Sequence, residues 1–299
     1  MTALRWIAAC LLLASLAAGT IGDSRPTHRH VILGGYHVMA ADFHVHSFPL
    51  SWATLAPGDT ALEAQRKGLD AIAIVGHNHV WVSIVGRWFA RLVGGPLVFT
   101  GEEIVSAHYH LLAIGIDSTI DWRQTAADAI EQIHRQGGVA IAAHPLAQYW
   151  RAYDAQVRQT LDGAEVLHPI AYQSEELAAQ LRQFYNSARL AAIGDSDYHG
   201  LGPIGICRTY VFTKEETQQG ILDGLRHGRT VVYDRAGQAY GDPILIRLAA
   251  ADGRLPQLAS RVASESRDAA GFLSLLSRIA GVLGLTAAAI AGLVTSRYR

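Results

Sequence analysis

Cysteine is nearly absent from this chain of 299 residues, where Cys10 and Cys207 are the only two. Two cysteines cannot build a disulfide framework, and Cys10 lies in an apolar segment where no intrachain bridge is expected. Charge is scarce as well. Asp, Glu, Lys and Arg make up 17% of the residues and balance to a net charge of −1. That excludes broad electrostatic capture of nucleic acid, and no nucleic-acid-binding patch is evident. No internal repeat is found, which excludes solenoid and propeller arrays. The length leaves room for one large α/β domain or two small ones.

Hydrophobic residues are plentiful, at 50% of the chain, and their excess lies at the two ends. Residues 1–22 carry Arg5 ahead of the apolar run Leu11 to Ala18, with small residues after it. A cleaved signal peptide and an uncleaved membrane anchor are both open readings. Ile279 to Val294 is uncharged, and 271–296 reaches the length of a transmembrane helix if Arg278 snorkels. An amphipathic helix packed on the domain is the alternative. Arg5, Arg297 and Arg299 favour cytoplasmic ends, against Arg25 and Arg29. The expectation is a membrane-tethered protein with its main domain outside the cytoplasmic membrane.

Between the ends, residues 37–245 alternate short apolar runs with helical patterns, which argues for βα units. Thr60 and Glu63 suggest a capping box with Gly68 as a stop. Residues 246–270, with Pro256 and several Ser, Arg and Asp, read as a linker.

Histidine is the other abundant residue, with 14 copies. DFHVHS places His44 and His46 two apart on a strand, so period two puts them on one face and Phe43 and Val45 on the other. DAIAIVGH ends in His77, FTGEE in Glu102 and Glu103, and AIAAH in His144. HLLAIGI begins with His110, and LAAIGDSDYH ends in Asp197 and His199. One histidine at a strand end is unremarkable. Seven strand-end positions in register would converge on one face of a barrel, where bound divalent cations are the simplest stabiliser of such a cluster.

In order, these segments resemble the motifs of the PHP superfamily, the polymerase and histidinol phosphatase metal-dependent phosphoesterases. DFHVHS is similar to its DxHxH motif, FTGEEI with HLLAIGI to its third motif, AIAAHP to its fourth and GDSDYH to its fifth. The resemblance covers about residues 37 to 235. It implies an α/β fold, a distorted (β/α)7 TIM-like barrel, holding two or three divalent ions such as zinc, manganese or iron. By position, it implies that His44, His46, Glu103 and Asp197 hold one metal. Glu103 bridges to a second held by His110 and His144, and His77 and His199 hold a third. Glu103 is preferred to Glu102 on motif spacing, and His110 to His108 on its place directly before LLAIGI.

Two departures bear on the third metal. Ser51 stands where the family often has aspartate, and Gly76 replaces the aspartate of Thr-Asp-His. Two firm metals and a weaker third are therefore expected. The implied activity is hydrolysis of a phosphomonoester or phosphodiester by metal-activated water, with His199 or His77 assisting the leaving oxygen. Hydrolysis of an amide or ester on the same platform, or a non-catalytic metal-binding module, are the alternatives. His79, His168 and Arg208 are candidates for substrate contact. Trp81, Trp88 and Trp150 read as packing residues, and His28, His30 and His37 as part of a tether.

Overall fold

A computed structural model describes residues 2–23, 31–49, 51–200, 203–264 and 269–296. In chain order the elements are α1 (Thr2–Asp23), β1 (Val31–Leu33), β2 (Tyr36–Val45), α2 (Pro57–Arg66), β3 (Ala71–His77), α3 (Trp81–Val93), β4 (Leu97–Val105) and β5 (His110–Ile114). Then come α4 (Ala126–Arg135), β6 (Val139–Ala142), α5 (Ala155–Arg158), β7 (Gly163–Leu167), α6 (Glu175–Tyr185), β8 (Ala191–Gly194) and β9 (Thr209–Thr213). The rest are α7 (Gln218–Arg226), β10 (Thr230–Tyr233), β11 (Ala239–Gly241), α8 (Pro243–Asp252), α9 (Arg254–Ser264) and α10 (Ala269–Ser296).

Among the described residues one sheet runs in the order β11-β10-β9-β2-β3-β4-β5-β6-β7-β8, with β1 added beside β2. The pairs β2/β3, β3/β4, β6/β7 and β7/β8 are parallel. The seam closes where Tyr198 donates its N–H to the His44 carbonyl at 3.2 Å and accepts from the His46 N–H at 2.9 Å. The result is the nearly closed α/β barrel that the sequence implies, with one reversal. β5 is antiparallel to both β4 and β6. Its first residue, His110, therefore meets the final residues of β4, and a strand's head joins the strand tails on the site face.

Met39, Ala41 and Phe43 point into the barrel with Phe99, Leu112, Ile141, Ile193 and Val211. Val38, Ala40 and Val45 face the outer layer. Simple alternation would put His44 outside as well. A register shift between Asp42 and Val45 corrects the phase, so Phe43 shares the interior with the histidines rather than with Val45. A bulge re-aims side chains in this way, and period-two counting cannot detect it.

Local chemistry sets the helix ends. Thr125 caps α4 by accepting from the Asp128 N–H, and Ala126, Ala129, Ile130 and Ile133 bury its inner face. Pro57 begins α2, and the expected capping box does not form. Thr60 is buried and donates to the Ala56 carbonyl instead. The expected linker is also corrected. Residues 246–264 lie in α8 and α9, where Leu245, Ala249 and Leu255 join the outer core. The remainder of that segment includes 265–268, outside the described residues.

The chain divides into two compact units, one holding α1 and α10 and the other everything from His28 to Ser264. In the first, Ser15 Oγ donates to the Ser277 carbonyl and Ser277 Oγ to the Ser15 carbonyl, each at 2.7 Å. A Cβ on Gly281 would lie 3.0 Å from Ser15 Oγ, and one on Gly284 would lie 2.9 Å from Leu12. Small residues that made these segments resemble membrane spans thus form a helix–helix seam. Among the described residues, no helix is long and apolar enough to cross a membrane. The expected membrane anchor, transmembrane helix, membrane partner and membrane-tethered location are therefore withdrawn. Arg25, Arg29, Arg297 and Arg299, used to orient them, lie outside the described residues, as do His28 and His30.

Candidate metal centre

Glu103, near the end of β4, is the middle of the site. Its Oε1 lies 2.9 Å from His110 Nδ1 and 3.3 Å from His144 Nε2. Its Oε2 lies 3.4 Å from the Nε2 atoms of both His44 and His46, and 3.2 Å from His77 Nε2. Asp197 Oδ1 lies 3.2 Å from His44 Nε2, 3.1 Å from His46 Nε2 and 3.4 Å from His199 Nδ1. All eight residues expected to converge do so. His44, His46 and Asp197 form one group that could hold a cation, Glu103, His110 and His144 a second, and His46, His77 and His199 a third.

The spacing fits a small cation. Donors set tetrahedrally at about 2.1 Å from an ion are about 3.4 Å apart, and the observed separations among His44, His46, Glu103 and Asp197 are 3.1–3.4 Å. The chemistry fits as well, since imidazole and carboxylate donors without thiolate suit zinc, manganese or iron.

Electrostatics show what such an ion would relieve. Burial pushes Glu103 up, but His44 and hydrogen bonds from His110, His144 and His44 hold its carboxyl well below the usual range. Burial pulls His44 down, but Asp197, Glu103 and Glu165 outweigh it and hold its pKa well above normal. A cation would displace the extra proton that these carboxylates favour on His44.

Alternation along β4 decides between the two glutamates. Glu102 faces away from the cluster and accepts from the Ile120 N–H at 2.5 Å, while its other oxygen is buried without a hydrogen-bond partner. Burial raises its pKa from 4.5 to about 7. The fold therefore favours the protonated form. That contribution is fully present below about pH 4.5 and is lost as pH rises through about 7, up to about 3 kcal/mol. Glu102→Gln keeps the acceptor and cannot ionise. It is expected to raise the melting temperature by several degrees at pH 8 and leave it nearly unchanged at pH 4, in paired thermal melts.

Three buried acids brace the site, and sequence reading missed all of them as such. Glu165 Oε1 accepts from His44 Nδ1 at 2.8 Å, and Glu165 Oε2 from the His144 N–H at 2.5 Å. The first bond places the His44 proton on Nδ1 and leaves Nε2 bare toward the cluster. Asp42 accepts from the Ser196 N–H and hydroxyl and from the Gly205 N–H at 2.5–3.1 Å. Asp195 accepts from the Phe43 N–H at 2.7 Å. Together these tie the Asp42–His46 strand end to the 195–199 loop. Two candidate ligands carry backbone strain, His144 at φ 26° and Asp197 at φ 47°, as residues held for function often do.

The secondary candidates separate. His168 joins the site. Its Nδ1 accepts from the Ile170 N–H at 3.1 Å, so Nε2 carries the proton and faces Asp197 Oδ2 at 3.3 Å. His199 is set the other way, with Nδ1 donating to the Asp197 carbonyl at 3.0 Å. Arg208 does not reach the cluster, because its guanidinium donates to the carbonyls of Gly205 and Lys67. His37 pairs with Glu216, outside the cluster. His108 is exposed and stands apart from the cluster. Trp150 packs as expected, with its Nε1 donating to the Pro145 carbonyl.

No family model matches the chain. A stretch of 143 residues is 27% identical to an uncharacterized protein of Methanocaldococcus jannaschii, covering 44% of this chain and 82% of that protein. The structure also aligns with a two-domain protein from Bacteroides vulgatus that contains a predicted PHP-like metal-dependent phosphoesterase. The alignment has a TM-score of 0.58 and 24% identity, and covers 75% of this chain and 73% of the other. The chain has the PHP-like fold.

Within this PHP-like barrel the two departures have a physical setting. A Cβ on Gly76 would lie 2.3 Å from His79 Cε1 and 2.8 Å from the His79 carbonyl oxygen. An aspartate there would collide with the folded-back His79, which packs against Trp81 and not in the cluster. Ser51 accepts from the His77 N–H at 3.3 Å, so it supports the strand end and adds no carboxylate.

Proposed function

We propose that the protein is a metal-dependent hydrolase acting on a phosphomonoester or phosphodiester. The observation that supports this most directly is the placement of Glu103 and Asp197 among six imidazoles at cation-ligand spacing. His44, His46, Glu103 and Asp197 would hold one ion, and Glu103, His110 and His144 a second. His46, His77 and His199 would hold a third, weakened by the lack of a carboxylate at Ser51 and Gly76. When bound, such ions acidify water and neutralise phosphate oxygens.

The chain's own residues do the rest. Glu165 keeps the His44 Nε2 lone pair turned inward, and His168 holds Asp197 from the far side. His77 and His199, each about 30% exposed at the side chain, stand at the mouth where a leaving oxygen departs.

The test is metal content per chain together with phosphate release from mono- and diester panels, after chelation and re-addition of zinc, manganese or iron. Chelation is expected to abolish turnover, and two ions per chain to restore it. Bound metal without phosphate release would point to another hydrolytic bond or a binding role. A folded chain that takes up no metal would refute the assignment.

A further inference from the structure

Every phosphoester carries an organic group beyond its phosphorus, and the loop that follows His46 carries exposed aromatic side chains. The loop 47–55 is closed on itself by the Phe48 N–H and the Ser47 hydroxyl, which both donate to the Leu55 carbonyl at 2.7 and 2.9 Å. It is also pinned against two segments of the site. Ser51 holds the His77 N–H, and Gly200, next to His199, lies so close to Thr54 that a Cβ would fall 1.9 Å from its Oγ1.

This anchored loop presents large apolar side chains to solvent. Trp52 is 92% exposed and Phe48 56% exposed. Trp52 has φ 56°, a left-handed conformation that bulky residues rarely adopt, so its outward presentation is held against local preference. On the neighbouring segment Trp81, 43% exposed, stacks on His79 with ring centroids 5.8 Å apart and planes 21° from parallel. Trp52 and Phe48 thus follow His46 in the chain, and Trp81 follows His77.

We propose that Phe48, Trp52 and Trp81 form a stacking rim for the organic part of the substrate, and that this part carries an aromatic ring. The inference rests on the phosphoesterase reading and names its substrate class. Flat indole and phenyl faces reward a planar ring more than a flexible chain, which must give up rotamer freedom to lie on them. Stacking of this kind is sequence-tolerant, so the rim selects for a ring and not for one particular ring.

The test uses the full-length, metal-loaded protein and two substrates of matched size and linkage, benzyl phosphate and cyclohexylmethyl phosphate. The wild type is expected to favour benzyl phosphate in kcat/KM by about tenfold, mainly through KM. Trp52→Ala is expected to bring the ratio close to one, and Trp52→Phe to retain part of it. A ratio near one in the wild type would overturn the proposal, and so would a ratio that survives in both Trp52→Ala and Trp81→Ala. If neither ester is cleaved and the mono- and diester panels release no phosphate either, the phosphoesterase reading fails. Whether or not the panels do, the rim is then judged by tryptophan fluorescence with benzylphosphonate. Quenching that disappears in Trp52→Ala would sustain the rim, and absence of quenching in the wild type would end it.

Discussion

Glu103→Gln is expected to remove at least one ion per chain and to lower turnover by about 10³-fold or more. Both oxygens of Glu103 are engaged, one toward His110 and His144 and the other toward His44, His46 and His77. Glutamine has the same size, but in either orientation it turns an NH2 toward one half of the imidazoles and brings no charge. A charge-stabilising contribution of several kcal/mol is then lost, and each 1.4 kcal/mol is about tenfold in rate. Elemental analysis and phosphate release on the same preparation check the result. Full metal content with undiminished turnover would show that Glu103 is not the bridge.

The second large effect is expected at a residue that touches no ion in this assignment. Glu165→Ala should weaken metal binding by about 10–100-fold, the range for losing an outer partner of a histidine ligand. Glu165 holds His44 Nδ1 and the His144 N–H together, so its removal frees one ring to rotate and leaves a buried N–H unpaired. Glu165→Gln can still accept one of these bonds and should recover part of the loss. Competition against a chelator of known affinity measures both variants. Unchanged affinity in Glu165→Ala would make its role purely one of packing.

These two residues show how unevenly the sequence discloses the site. Glu103 was legible because it ends a strongly apolar strand within a recognisable run. Glu165 sits inside AEVLHP, a weak strand in which a buried acid carries no pattern of its own, and its partner His44 lies far away in the chain. Its role exists only once β7 is placed beside β8 and the barrel closes.

The fold follows the same logic. Alternating strands and helices read correctly, but α3 was passed over between two strands. Trp81, Ile84, Val85, Trp88 and Leu92 recur at helical spacing, but the fold leaves that stripe exposed and buries Val82 and Ala90, so the apolar pattern does not mark the face turned to the core. Residues 246–264 erred in the opposite direction. Their polar composition suggested a connector, yet Leu245, Ala249 and Leu255 suffice to seat two helices. The terminal segments misled for a third reason. Hydropathy counts small residues as apolar without asking whether they serve a lipid or a neighbouring helix.

The barrel's seam gives the site a mechanical character. Strand β2, which carries His44 and His46, meets the segment just after β8 through the bridge at Tyr198, one residue past Asp197, and through the buried carboxylates of Asp42 and Asp195. An ion gripped by His44, His46 and Asp197 would therefore rivet the end of β2 to the loop that follows the last strand of the sheet order, β8. On that assignment metal binding and the strength of the seam would be linked, and a chain stripped of metal would loosen first where these two segments meet.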